Sequence, residues 1–232
     1  MQIIESSAFA VRSAVIRLEA DEGRPSFVLF PMVHVGAPEF YAEVSERLGD
    51  CDIILCEGVK TRAVSLLTLS YRFYSENPKL GLVTQNRGMT IAHLKNRLVH
   101  ADVSGDAFDR RWWDLKTWDR FLLLILAPLY GLYMRYFGTR AQMARALNLN
   151  LRKSREEILS SEDNEEIMTL LFHWRDRRLL EIIDQTLDEA HDGNQTIGVL
   201  YGARHMRAVI RHLIGRHSYR VAKSEWVTVF PL

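Results

Sequence analysis

The sequence predicts an α/β fold: a single domain of two related strand–helix–strand units that form one sheet, with a large helical insertion between them. Two apolar runs, FVLFPMVH and GVLYGARH, end in His34 and His205, and each is followed by a helical pattern and then by another strand-like run. This weak internal repeat places the core at residues 1–59 and 172–232 and the insertion at residues 60–171.

The first unit contains a hairpin, a helix and a further strand. Apolar runs flank the turn DEGRP and recur in CDIILC, and apolar residues between these runs repeat at a spacing of four. Continuous apolar runs and a four-residue period are typical of buried strands and of an amphipathic helix. The predicted elements are strands at 8–18 and 26–33, a helix at 37–48 and a strand at 51–56.

The insertion is predicted to be mostly helical, apart from the strand-like run LVHADV at 98–103. The second unit follows a long helical pattern that ends at HDGN, where glycine and asparagine are typical of a helix end. Its predicted elements are a helix at 164–191, a strand at 196–202, a helix at 203–216 and a strand at 218–230.

The composition is that of a folded globular chain. Its 232 residues are 47% hydrophobic and 25% charged, which excludes a disordered protein. With thirty basic residues against 29 acidic ones, the chain has no overall positive potential to attract a polyanion, so we expect no nucleic-acid partner. The first residues lack the pattern of a signal peptide and there are only two cysteines, so a cytoplasmic location is expected.

Residues 121–134, FLLLILAPLYGLYM, form an uncharged apolar segment that follows Trp112, Trp113 and Trp118. Fourteen helical residues span about 21 Å, which is short of a hydrocarbon core of about 30 Å, and Pro128 interrupts the segment. We favour a helix or hairpin buried in the domain over a dimer-forming or membrane-surface element, and both over a membrane span. Soluble expression without detergent is therefore expected.

His34 and His205 each follow a predicted buried strand, which places both at the carboxyl edge of the sheet, where α/β proteins bind ligands. Glu57 directly follows the strand CDIILC, and a buried carboxylate there needs a cation or hydrogen bonds. Two imidazoles and a carboxylate can bind a divalent metal such as Mn, Co or Zn. A bound metal activates water near neutral pH, so the three residues indicate a hydrolytic site.

Arg175 lies on a predicted helix with one packed face, and its guanidinium would stabilise an oxyanion or bind a carboxylate near the metal. We expect Arg175 to point into the site while Arg177 and Arg178 point elsewhere, because these positions are rotated around the helix. Asp102 and Glu225 are weaker candidates, for which structural pairing is favoured. Four other histidines are interpreted as surface or helix-end residues: His173, His191, His212 and His217.

These residues resemble the TraB/PrgY/GumN family, which includes the Tiki metalloproteases. RDRRLLEIID is similar to the family's helix that opens with an Arg-Asn or Arg-Asp pair, and VLYGARHM is similar to its second Gly-x-x-His motif. VHVGAPEFYAEV, followed by Glu57, is similar to its first half, although Pro31 replaces the glycine of the first motif. The resemblance implies paired βα units and a divalent-metal hydrolase site of His34, Glu57 and His205, with Arg175 as the helix arginine.

The favoured function is metal-dependent hydrolysis of a peptide or amide bond, in which Glu57 and Arg175 act as catalytic groups. A second hypothesis is a non-catalytic peptide-binding or regulatory protein, of the pheromone-shutdown kind, associated with a membrane surface through residues 121–134. A third is a metal-free hydrolase, in which His34 or His205 acts with Glu57 as the general base. Each of these hypotheses takes a peptide or a small molecule as the ligand.

Overall fold

The computed structural model describes residues 2–21, 23–59, 61–75, 77–151, 169–190 and 193–232. It is a mixed α/β structure, so the predicted fold class is confirmed. The strands are β1 (Ile4–Ser6), β2 (Ala10–Glu19), β3 (Ser26–Met32), β4 (Val35–Gly36), β5 (Ile53–Cys56), β6 (Val83–Thr84), β7 (Leu98–His100), β8 (Thr196–Gly202) and β9 (Arg220–Pro231).

Two helices begin close to the predicted positions, at Pro38 for the helix predicted at 37–48 and at Met206 for the helix predicted at 203–216. Thr61 and Ser104 cap the second and fifth helices, since their hydroxyl oxygens accept hydrogen bonds from the backbone N–H of Val64 and Ala107. The α-helices are α1 (Pro38–Leu48), α2 (Arg62–Leu67), α3 (Leu69–Ser75), α4 (Gln85–Gly88), α5 (Gly105–Asp114), α6 (Thr117–Phe137), α7 (Arg140–Leu151), α8 (Trp174–Glu189) and α9 (Met206–His217). The first part of the helix predicted at 164–191, residues 164–168, lies outside the described residues.

The main sheet combines a parallel centre with antiparallel flanking strands. Over the described ranges its order is β1-β2-β3-β8-β5-β7, and β9 pairs with β2. Strands β3, β8, β5 and β7 are parallel neighbours, whereas β1, β2 and β9 pair in antiparallel fashion. The carboxyl ends of the four parallel strands therefore meet at one edge of the sheet.

Burial of the central strands explains their continuous apolar sequences. Strand β3 pairs with β8 from Ser26 to Met32, and most side chains of both strands are buried. Such runs are typical of parallel strands that are covered on both faces. Helix α1 packs its face of Phe40, Val44 and Leu48 into the same core.

The strand predicted within the insertion is confirmed, whereas the predicted position of the last strand needs correction. The strand-like run predicted at 98–103 forms strand β7, which joins the main sheet beside β5. Strand β9 pairs with β2 rather than beside β8, and Glu225 lies within β9, where it forms ion pairs with Arg47 and Lys223. The second unit therefore does not bring a carboxylate to the carboxyl edge as the first unit does.

Helix α6 extends over 21 residues and continues through Pro128. The expectation that residues 121–134 are buried in the domain is wrong, because only 11% of the most apolar 18-residue stretch of this helix is buried. By length and composition it is the one helix of the described part of the chain that could cross a membrane. Its exposed side chains include Trp118, Phe121, Leu122, Ile125, Leu126, Leu129, Tyr130, Leu132, Tyr133, Tyr136 and Phe137.

Candidate functional site

Each parallel strand delivers a polar side chain to the carboxyl edge of the sheet. Glu57 directly follows β5, and His34 and Asp102 each lie two residues beyond the ends of β3 and β7. His205 lies three residues beyond β8, in the turn that leads into helix α9. Because β3, β8, β5 and β7 are neighbours, these four residues lie along one row of strand ends.

Arg175, in the first turn of helix α8, connects two of these strand ends. Its Nη2 donates hydrogen bonds to Glu57 Oε1 at 2.5 Å and to Asp102 Oδ2 at 2.6 Å, and its Nε donates to Asp102 Oδ1 at 3.0 Å. The contact with Asp102 is therefore bidentate, which is the strongest form of an arginine–carboxylate pair. Backbone N–H groups of Gly58 and Val103 also donate to Asp102.

The charges of this network oppose the effect of burial on the pKa values of its side chains. Burial alone would raise the pKa of Glu57, but the positive charge of Arg175 and the two nearby imidazoles hold it below its ordinary value. Burial would likewise raise the pKa of Asp102, and the hydrogen bonds and charge of Arg175 lower it instead. Both carboxylates are thus ionised at neutral pH, and the pKa of Arg175 is raised in spite of its burial.

His34 is exposed, but to a cavity rather than to the outer surface. Its ring stacks on Tyr71, with the ring centroids 4.7 Å apart. Desolvation by the surrounding protein lowers the pKa of His34, and the attraction of Glu57 only partly opposes this effect. The imidazole of His34 is therefore neutral at pH 7 and able to accept a proton.

His205 is almost completely buried, with 3% of its surface exposed. Its Nδ1 donates a hydrogen bond to Asp176 Oδ1 at 2.6 Å, and its ring contacts the rings of Tyr201 and Phe172. Gly202 allows Glu57 to approach this histidine, because a Cβ at Gly202 would lie 3.2 Å from Glu57 Oε2 and 3.4 Å from His205 Cδ2. The Gly202 N–H donates to Glu57 Oε2 at 2.7 Å.

These groups lie at the wall of a cavity of about 1530 Å³, large enough for a peptide or an extended small molecule. His34, Glu57 and Arg175 line it from the sheet edge, whereas His205 lies behind this wall. Residues of helices α2, α3 and α6 also line the cavity. A small apolar cluster, which reaches the cavity through Phe108, contains Ala63, Val103, Phe108, Trp112 and Leu115.

The structure brings together some of the predicted residues and leaves others apart. Arg175 faces the cavity, while Arg177 is exposed and Arg178 forms an ion pair with Glu181. The ligand atoms of His34, Glu57 and His205 do not form a group within 4.8 Å of one another.

A different group could hold a metal ion: Asp184, His212 and His217. The sequence predicts these histidines to be surface or helix-end residues, and His217 does end helix α9, but their convergence with Asp184 is not predicted. No local pattern indicated this group, because Asp184 lies on helix α8 and the two histidines lie on helix α9. Comparisons of the chain with models of protein families, with curated proteins and with solved structures give no match, so a functional assignment depends on the geometry.

Proposed function

We propose that this protein is a hydrolase of peptide or amide bonds that acts in the cavity at the carboxyl edge of the sheet. The observation that carries the proposal is the convergence of a neutral imidazole, a buried guanidinium and an ionised carboxylate on one cavity wall. His34 is either the general base that takes a proton from the attacking water or a ligand of the metal that binds this water. Arg175 stabilises the negative charge that develops on the substrate oxygen. The resemblance to the TraB/PrgY/GumN family implies the same chemistry.

His34, Glu57 and His205 have the donor atoms for a divalent metal, Mn, Co or Zn. Their ligand atoms do not all lie within 4.8 Å of one another, so they would have to move closer together to bind one ion. Metal-binding histidines commonly donate their second ring N–H to a carboxylate, and the hydrogen bond from His205 Nδ1 to Asp176 has this form, which leaves Nε2 as the ligand atom. A metal bound there would supply a hydroxide near neutral pH and would polarise the scissile carbonyl.

A metal-free hydrolase is the second candidate, and one observation favours it. Both carboxylate oxygens of Glu57 already accept hydrogen bonds, from Arg175 and from the Gly202 N–H. Metal binding by Glu57 therefore requires that at least one of these bonds breaks, whereas general-base catalysis by His34 requires no rearrangement.

We further propose that helix α6 rests on a membrane surface that contains anionic lipids. Its exposed face is apolar along its length, and aromatic residues lie near both ends, as in proteins that sit at a lipid interface. Residues 134–151 include Arg135, Arg140 and Arg145 and no acidic residue, which favours negatively charged headgroups. The inner side of the same helix lines the cavity with Leu123 and Ala127, so substrates would reach the site near the lipid surface.

The test is a survey of peptide and amide substrates with purified protein, together with metal analysis of the wild type and of His205→Ala. We expect His34→Ala to lower kcat/KM by about 10²–10⁴-fold, because the variant loses either the general base or a ligand of the metal that binds the attacking water. His93→Ala is the matched control, since His93 is exposed outside the cavity.

Loss of activity after chelation, with more equivalents of metal in the wild type than in His205→Ala, would support the metal-dependent mechanism. Activity that persists in chelator would favour the metal-free one. A wild type that binds peptides in the cavity without cleaving them would contradict the hydrolase and favour a binding protein.

A further inference from the structure

A second group of metal-binding side chains lies away from the cavity, between helices α8 and α9. Asp184 Oδ1 is 2.6 Å from His212 Nε2 and 2.7 Å from His217 Nε2. Within the described ranges, this is the one group of three His, Cys, Asp or Glu side chains whose ligand atoms all lie within 4.8 Å of one another. The three donor atoms therefore converge on one point.

The end of helix α9 produces this convergence. His212 and His217 are five residues apart, which is about 140° around a helix, so a straight helix alone would direct them to different sides. Helix α9 ends at His217, and Ser218 follows with a φ of 57°, in the left-handed region that turns the chain away. The two rings lie 5.1 Å apart, and both Nε2 atoms reach the same oxygen of Asp184.

The site is shielded but still open to an ion from solution. The side chains of His212, His217 and Asp184 are 13%, 18% and 26% exposed. Arg216 is the nearby cation, with Nη1 at 3.5 Å from Asp184 Oδ2, and its side chain is 69% exposed. An exposed ion pair of this length contributes little, so Arg216 moves into solvent at small cost when a metal binds.

We propose that Asp184, His212 and His217 bind a zinc ion that joins helix α8 to helix α9. Two imidazole nitrogens and one carboxylate oxygen are zinc ligands, and three protein ligands leave the fourth tetrahedral position for water. Calcium and magnesium prefer sites made of oxygen atoms, so two imidazoles select against them. The ion takes the place of the hydrogen bonds that now join the two imidazoles to Asp184, and each neutral ring would bind it through Nε2 with its proton on Nδ1.

The zinc ion links the two elements that support the cavity wall. Helix α8 carries Arg175 and Asp176 in its first turn, and His205 directly precedes helix α9. A link between Asp184 and the end of α9 therefore restrains the helices that hold these three residues. The proposal does not depend on the hydrolase, because none of its ligands lines the cavity.

The test is calorimetric titration of zinc chloride into the chelator-treated full chain. Wild type and the control His93→Gln are expected to bind one more equivalent of zinc than His217→Gln and Asp184→Asn. At a zinc concentration of 100 Kd, Tm should rise by about 5–10 °C in the first pair relative to the second. His34→Ala, which removes a ligand of the proposed cavity site, should keep this equivalent of zinc.

Two results would overturn the zinc site: a wild type that binds no zinc, or equal zinc stoichiometry in His217→Gln, Asp184→Asn and His93→Gln. Far-UV circular dichroism of each variant shows whether it is folded. The use of two ligand variants keeps the comparison valid if one of them is unstable. Visible absorption of the cobalt-substituted protein supplies a second measurement, since tetrahedral coordination should be seen in His93→Gln and lost in His217→Gln.

Discussion

Arg175 lies between two carboxylates that the chain supplies from different strand ends. Its side chain is 13% exposed and that of Asp102 is fully buried, so water does little to screen either charge. A buried charge that loses its partner costs several kcal/mol, because desolvation is then not offset. The pair of Arg175 and Asp102 is therefore a structural support of the cavity wall, while Glu57 is the carboxylate that faces the cavity.

Replacement of Asp102 should reveal this support. Asp102→Asn keeps the size of the side chain but removes the charge, and we expect the free energy of unfolding to fall by about 3 kcal/mol. Urea unfolding of the variant and the wild type at pH 7 measures the difference.

Glu181→Gln is the matched control for Asp102→Asn. Glu181 pairs with Arg178 on the same helix, but both side chains are largely exposed, so the expected loss is at most about 1 kcal/mol. Equal losses in the two variants would show that the pair of Arg175 and Asp102 contributes no more than a surface ion pair.

Single residues differ in how well the sequence predicts them. His34 and Glu57 could be identified because each follows an apolar strand, and the position after a strand is a local property. The pairing of Arg175 with Asp102 joins residues 73 apart in sequence and depends on how helix α8 packs. The zinc-binding group could not be predicted for the same reason, since Asp184 and the two histidines meet only across two helices.

At the scale of elements, helix α6 shows what an apolar pattern leaves undetermined. A helix that is apolar around most of its circumference can be buried in a protein or can contact lipid, and periodicity does not distinguish the two. The predicted segment, 121–134, was also shorter than the observed helix. Loss of one backbone hydrogen bond at Pro128 does not end a helix of this length.

Vesicle binding tests the proposed membrane contact of helix α6. The double variant Leu126→Glu, Leu129→Glu adds charge where the side chains are 52% and 56% exposed, so it should reduce co-sedimentation with anionic phosphatidylglycerol vesicles at least tenfold. Binding of the wild type should weaken as salt is raised, because arginines contribute to it.

Phe9→Glu is the control for α6, because Phe9 is 83% exposed on the turn between β1 and β2, and the variant should bind vesicles like the wild type. If the wild type does not bind vesicles but forms a dimer, and the α6 double variant is monomeric, the exposed face of α6 contacts a second copy of the chain and not a membrane. Absence of both vesicle binding and dimerisation would reject the exposed face of α6 as a contact surface.

At the scale of the whole molecule, the sheet joins the two ends of the chain. Strand β9 pairs along the length of β2, from Ala10 opposite Pro231 to Glu19 opposite Arg220. The order of the parallel strands places β8, from the second unit, between β3 and β5 of the first. This strand order could not be predicted from the two units separately. Each unit contains its own strands and helix, and the order depends on which strand of the other unit each strand pairs with.

Strand β9 should therefore stabilise the entire domain. Phe230 is fully buried opposite Val11, and Phe230→Ala should lower the free energy of unfolding by about 3–5 kcal/mol through the cavity it creates. Val221→Ala, on the same strand but 39% exposed, should change it by less than about 0.5 kcal/mol. Because β9 and the parallel centre belong to one sheet, tryptophan fluorescence and far-UV circular dichroism should report the same urea midpoint in each variant. Separate midpoints in Phe230→Ala would instead show that β9 and β2 unfold apart from the strands that hold the site.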